Sequence, residues 1–318
     1  MTTENTSNEI QIIRLYDASV KAVWDAWTDP NKAAKWWGPR GFTITTHSKD
    51  LCVGGHWRYT MHGPDGVDYP NHTKYFEVEP LRRLVYDHGG NDTQPPMFRV
   101  RVNFTDINGK TRMDMTMILP SPEAASETKK FIKKAGGNAT WDRLAEFLKK
   151  ESSDNEIFVI NRTFDAPIDL MFEMWTDPQK LSKWLAPTGA SMDFIRADIR
   201  PGGESFYCMT APGDRKLYGR THYIEIQKPA RVIYTQQFTD KDGGISRHPL
   251  APTWPETMRT TVTFIEESSR QTRVTVVWEI HGKCTNEELH TFVDGRTSMT
   301  GGWTGSFDKL EETLEVIS

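Results

Sequence analysis

A chain of 318 residues with net charge -4, 26% charged and 37% hydrophobic residues has the make-up of about two ordinary soluble domains. Its slightly acidic balance excludes a nucleic-acid binder built on a basic face, and no apolar run reaches the roughly 18 residues that cross a bilayer. Three scattered cysteines, Cys52, Cys208 and Cys284, exclude a disulfide framework and a CxxC-type zinc site; with polar residues 1–9 that lack a signal-peptide pattern, they point to a cytoplasmic protein.

Residues 10–16 are short, apolar and β-branched, which predicts a strand. Ser19 is an N-cap candidate, and Val20, Val23, Trp24 and Trp27 then fall at i, i+3, i+4 and i+7 on one helix face. Asp29-Pro30 reads as a cap followed by Pro in the first turn, hence a second short helix. A long alternating region follows. Trp57, Tyr59 and Met61 share one face; Phe98, Val100, Val102 and Phe104 alternate with Arg99, Arg101 and Asn103; Met113, Met115 and Met117 alternate with Asp114 and Thr116. Such alternation predicts antiparallel strands with one wet face, the last two joined at the hairpin pair Asn108-Gly109. A long helix should run from near Ser121-Pro122 to near Lys150, with Gly136-Gly137 as a candidate break, before a polar linker at 151–156.

The chain then repeats itself. Laid on 162–187 at an offset of 148, residues 14–39 are identical at 11 of 26 positions, among them Trp27/Trp175, Asp29/Asp177, Pro30/Pro178 and Trp36/Trp184. The register persists through Gly54/Gly202, Gly55/Gly203, Tyr59/Tyr207, Glu77/Glu225 and Arg83/Arg231, then slips at 98–104 against 258–264, where the offset is 160. The second copy therefore carries about 12 extra residues in a Gly-, Pro- and Asp-rich loop at 240–256. Thr285-x-x-Glu288 is a capping box, opening a second long helix with Phe292, Met299, Trp303, Phe307, Leu310 and Leu314 at its apolar positions. A repeat this long is a whole domain: 1–150 is one and 157–318 the other. The fold class is α+β, each copy a curved antiparallel sheet whose apolar face is covered by its long helix.

Several segments carry a family resemblance: Phe164-Asp-Ala-Pro167, Trp175-Thr-Asp-Pro178, Pro201-Gly-Gly203, His248-Pro-Leu-Ala-Pro-Thr-Trp-Pro255 and Phe307-Asp-Lys-Leu310 in the second copy, and Trp27-Thr-Asp-Pro30, Trp36-Trp37-Gly-Pro39, Val53-Gly-Gly55 and Asp142-Arg-Leu144 in the first. In these the chain resembles the family named for the activator of the heat-shock-90 ATPase, within the START/Bet v-like (SRPBCC) helix-grip superfamily. The resemblance implies two tandem helix-grip domains, each with space between sheet and helix. The first copy lacks the His-Pro-x-x-Pro-x-Trp-Pro loop, and nothing resembles the second domain of the eukaryotic co-chaperone.

Chemistry is sparse. Nine histidines make no metal-ligand spacing, and there is no nucleophile elbow or phosphate loop. We expect no metal, cofactor or catalytic set. Glu77/Arg83 and Glu225/Arg231 read as strand-end ion pairs, His88 and His281 as surface or rim residues, and Cys208 as an inert thiol. The Gly54-Gly55 and Gly202-Gly203 pairs read as backbone bends. The candidate site is aromatic and Met-rich: Trp57, Tyr59, Met61, Phe98, Met115 and Met117 in the first copy, and Tyr207, Met209, Met258, Val276 and Trp278 in the second, with Trp254 as a cap over the opening. This set suggests binding of an apolar or aromatic small molecule, without nucleic acid or membrane insertion. The alternatives are a cyclase-, aromatase- or hydrolase-like enzyme, and an interaction module with a chaperone partner.

Overall fold

In the computed structural model, which describes residues 7–90, 94–134 and 139–317, the chain divides into two units, the first ending at Asn155 and the second starting at Glu156. The first runs β1 (Glu9–Tyr16), α1 (Val20–Thr28), α2 (Pro30–Ala33), β2 (Thr43–Lys49), β3 (His56–His62), β4 (Asp68–Glu79), β5 (Arg83–His88), β6 (Phe98–Ile107), β7 (Lys110–Ile118), α3 (Pro122–Lys134) and α4 (Ala139–Ser153). The second repeats it as β8 (Ile157–Phe164), α5 (Ile168–Thr176), α6 (Pro178–Trp184), β9 (Ser191–Arg196), β10 (Glu204–Ala211), β11 (Arg215–Gln227), β12 (Arg231–Thr239), β13 (Met258–Ser268), β14 (Gln271–Ile280), α7 (Asn286–Asp294) and α8 (Arg296–Ile317).

Local chemistry sets these boundaries. Ser19 accepts the Ala22 amide, and Asp29 and Asp177 each accept two amides of the helices they open, with Pro in the first turn; such caps contribute about 1 kcal/mol each. Thr285 and Glu288 form the reciprocal capping box. Asn108 and Gly109 both have positive φ, 54° and 82°, and Ile107 pairs with Lys110, a tight two-residue hairpin.

The strands of each unit form one antiparallel sheet, ordered β1-β7-β6-β5-β4-β3-β2 and β8-β14-β13-β12-β11-β10-β9. Both sheets bulge at the same place, between Tyr75 and Glu77 in β4 and between Tyr223 and Glu225 in β11. A bulge bends its strand, and here it helps the sheet curl around its apolar face. The recurring charges sit at these bulges: Arg83 reaches Glu77 at 2.8 Å and Arg231 reaches Glu225 at 2.7 Å. Gly55 and Gly203 are required by close approach, since a Cβ would strike the Asp50 or Asp198 carbonyl.

The helix expectations need two corrections. The first copy's last helical region is described as α3 and α4 on either side of residues 135–138, so the candidate break at Gly136-Gly137 lies outside the described residues, and α4 continues to Ser153, into the stretch read as linker. The second copy's long helix is two elements, because α7 stops at Gly295 before α8 begins. Apolar residues of α1, α4 and the sheet make the first core; those of α5, α7, α8 and the sheet make the second. One cation in each unit ties the last helix to the loop after the second. Arg143 donates from Nη1 to the carbonyls of Gly38, Pro39 and Phe42 at 2.9, 2.8 and 3.1 Å. Lys309 donates to those of Ala186 and Ala190 at 2.9 and 3.0 Å.

Candidate functional site

Strand periodicity turns Ile12 of β1, Met115 and Met117 of β7, Val100 and Phe98 of β6, and Tyr86 and His88 of β5 toward the helices. Over them lie Ala124, Glu127, Thr128 and Ile132 of α3 and Ala139, Thr140 and Trp141 of α4, with Trp37, Gly38 and Pro39 at the side. Together they enclose a cavity of about 790 Å³. Its wall is mostly apolar. Tyr86 faces it, but its hydroxyl takes a hydrogen bond from the Trp27 indole. His88 is the last residue of β5, opposite Phe98 in the ladder, and the two rings stack at 4.8 Å. Burial alone pulls the His88 pKa down to about 4, because a buried imidazolium loses its hydration. His88 is therefore neutral at pH 7.

The second unit encloses about 390 Å³. Its wall is shifted toward the other end of the sheet: Met192 and Phe194 of β9, Tyr207 and Met209 of β10, Leu217, Tyr218 and Tyr223 of β11, and Tyr234 and Gln236 of β12, roofed by Met299, Gly302, Trp303 and Ser306 of α8. Burial holds the Tyr207 and Tyr223 hydroxyls near 12, so both stay protonated. His248, from the extra loop, closes one side edge-on to Phe238, and burial lowers its pKa as well.

Three substitutions between the copies explain why the cavities, which share a middle region, extend toward different ends of the sheet. Trp37 and Trp57 stand where the second copy has Leu185 and Ser205. In the first unit Trp37 lies 5.1 Å from Trp57 and donates to the Tyr59 hydroxyl at 3.2 Å, so these rings fill the β2–β4 end. With Leu185 and Ser205 that end opens and Tyr207 is uncovered. Conversely, the ladders match Phe104 with Met113 and Phe264 with Val274, which puts Trp278 where the first unit has Met117. Trp278 packs on Trp303 and Trp254 and fills the end that is open in the first unit.

Of the predicted site residues, Met61, Phe98, Met115 and Met117 line the first cavity, and Tyr207, Met209 and Trp278 the second. Five do not. Trp57 and Tyr59 are core residues, 2% and 1% exposed, under Trp37. Val276 is fully buried. Met258 and Trp254 border a separate hollow of about 20 Å³, and Trp254 rests on Phe292. Arg247 secures that loop, donating to the Trp254 carbonyl and to Glu288.

Sequence reasoning places His88 and His281 at a surface or rim. His281 is exposed, but His88 stands in the cavity wall; its place two residues past the inward-facing Tyr86 was the available signal. Gln236, its counterpart at offset 148, escapes the sequence reading. So does His248, although it belongs to the loop that the resemblance marks. Cys208 is half-buried, with Sγ toward the Met209 carbonyl and no histidine partner among the described residues. No group of three or more His, Cys, Asp or Glu among the described residues is arranged to hold a metal, and no described helix is long and apolar enough to cross a membrane.

The family model described as Activator of Hsp90 ATPase homolog 1-like protein matches residues 17–149 and again 165–315. No curated protein matches the chain. Among solved structures, it is similar to protein Ms6760 from Mycobacterium smegmatis, 23% identical over 51% of this chain and 91% of that one, with a TM-score of 0.43. It is also similar to protein NE0264 from Nitrosomonas europaea, 23% identical over 46% and 96%, with a TM-score of 0.42. With the model matched twice in tandem and a seven-stranded antiparallel sheet gripping helices in each half, this chain belongs to the Activator of Hsp90 ATPase homolog 1-like family, as a two-domain member.

Proposed function

We propose that the protein binds apolar or aromatic small molecules, one in each domain, and that it does so in the cytoplasm. The observation that carries this is the pair of cavities between sheet and helices, about 790 and 390 Å³, walled by Met, Trp, Phe and aliphatic side chains. Both volumes lie in the range of about 300–1,000 Å³ typical of small-molecule sites. Burying a ring-sized apolar ligand there releases its hydration at about 25 cal/mol per Å², and the few polar groups orient it. The three free cysteines fit a reducing compartment.

Mass spectrometry of the purified protein under native and denaturing conditions tests the reading. The expected result is up to two small-molecule adducts that vanish on denaturation, or, for a clean apo protein, two equivalents of an added apolar aromatic compound bound. An apo mass together with no uptake of any aromatic probe would sink it.

A further inference from the structure

Resting on that reading, the first cavity can be given a ligand chemistry of its own. Neither ring nitrogen of His88 has a hydrogen-bond partner among the described residues, although the ring forms part of the cavity wall and stacks on Phe98. His88 is half-buried and its nitrogens are not among the fully buried unpaired atoms, so cavity water can meet them, and a ligand that displaces that water must replace its hydrogen bond. Neutral imidazole presents one N–H donor and one bare acceptor. A hydroxyl, being both donor and acceptor, satisfies whichever nitrogen faces it. No Lys or Arg is among the described residues that line the cavity, and the one carboxylate there, Glu127, is exposed at the wall and paired with Lys130 at 2.9 Å. Among the described lining residues an anionic ligand would therefore meet no cation, and the one carboxylate there would disfavour it.

We propose that the first domain selects an uncharged apolar ligand bearing a hydroxyl, which His88 anchors by a hydrogen bond inside the cavity. The second domain is not a duplicate of this site. Its counterpart of His88 is Gln236, its wall carries the phenols of Tyr207, Tyr218 and Tyr223, and its cavity is half the size and extends toward the other end of the sheet. The chain therefore holds two sites of different selectivity.

The test uses the full chain with the second cavity filled by Gly302→Phe, since Gly302 lines that cavity and a Cβ there meets nothing within 4 Å. Equilibrium dialysis at pH 7 compares naphthalene, 2-naphthol and 2-naphthoate. His88→Phe should weaken 2-naphthol about tenfold while changing naphthalene less than threefold. His88→Gln, which can also donate and accept, should keep 2-naphthol within about threefold, a rescue that a purely structural role for His88 does not predict. The naphthoate should bind at least about tenfold more weakly than the naphthol. Naphthalene bound but with both neutral probes equally affected by His88→Phe, or naphthoate binding as tightly as naphthol, would overturn this inference alone. Failure of all three probes to bind would overturn it together with the reading it rests on.

Discussion

Tyr59 and Tyr207 hold the same position in the two copies and should respond oppositely to truncation. Tyr59 is enclosed by Trp57 at 4.2 Å and by the Trp37 indole. Tyr59→Ala should cost about 3–5 kcal/mol in urea unfolding and leave ligand uptake by the second domain unchanged. Tyr207 is half-buried and faces the cavity, so Tyr207→Ala should cost under about 2 kcal/mol while weakening a ligand of the second domain about tenfold. Equal stability losses would mean that Tyr207 is ordinary core. His88 adds a pH effect. Its folded pKa, about 4, lies below the ordinary 6.5, so between those values the unfolded chain binds more protons and stability falls as pH falls. The stability difference between His88→Gln and the parent should therefore shift in favour of the variant between pH 7 and pH 4. A difference that stays constant across that window would show that His88 is not buried as a neutral ring.

At the scale of elements, the tie between the last helix and the loop after the second helix determines where the cavity's side wall stands. Arg143 gathers the carbonyls of Gly38, Pro39 and Phe42, and Gly38 and Pro39 themselves line the first cavity. Arg143→Ala should destabilise the first domain by about 2–4 kcal/mol, from lost charge-assisted hydrogen bonds and carbonyls left unpaired. Arg143→Lys should recover part of this, because Lys309 performs the same task in the second domain. Thermal unfolding of the three proteins checks the order; an alanine variant as stable as the lysine one would refute it. The same elements show how far sequence reaches. Asp29, Asp177 and the Thr285-Glu288 box announce their helices because capping is a matter of neighbours in the chain. The division of the last helix is marked locally only by Gly295 at the C-cap of α7, a weaker signal than a cap side chain because a lone glycine is also tolerated inside a helix.

For the whole molecule, each unit has its own closed strand order and its own core. Residues 1–155 and 156–318, expressed separately, should each fold with a cooperative melt; a piece that stays unfolded by circular dichroism would mean that its core is not self-sufficient. The duplication, the α+β class and the inward faces of β3, β6 and β7 are readable from the chain alone. Repeat register, capping residues and alternation are linear properties, and the strand period of two assigns a side chain to a face without knowledge of the fold. Alternation says nothing about which stretch of that face is already filled. That was decided in three dimensions, where Trp37 covers Trp57 and Tyr59 in the first domain, and where Leu185 and Ser205 uncover Tyr207 while Trp278 fills the far end in the second. Cavities are what packing leaves over, and residues far apart in the chain, such as Trp37 and Trp141, set that remainder together with the strands beneath them.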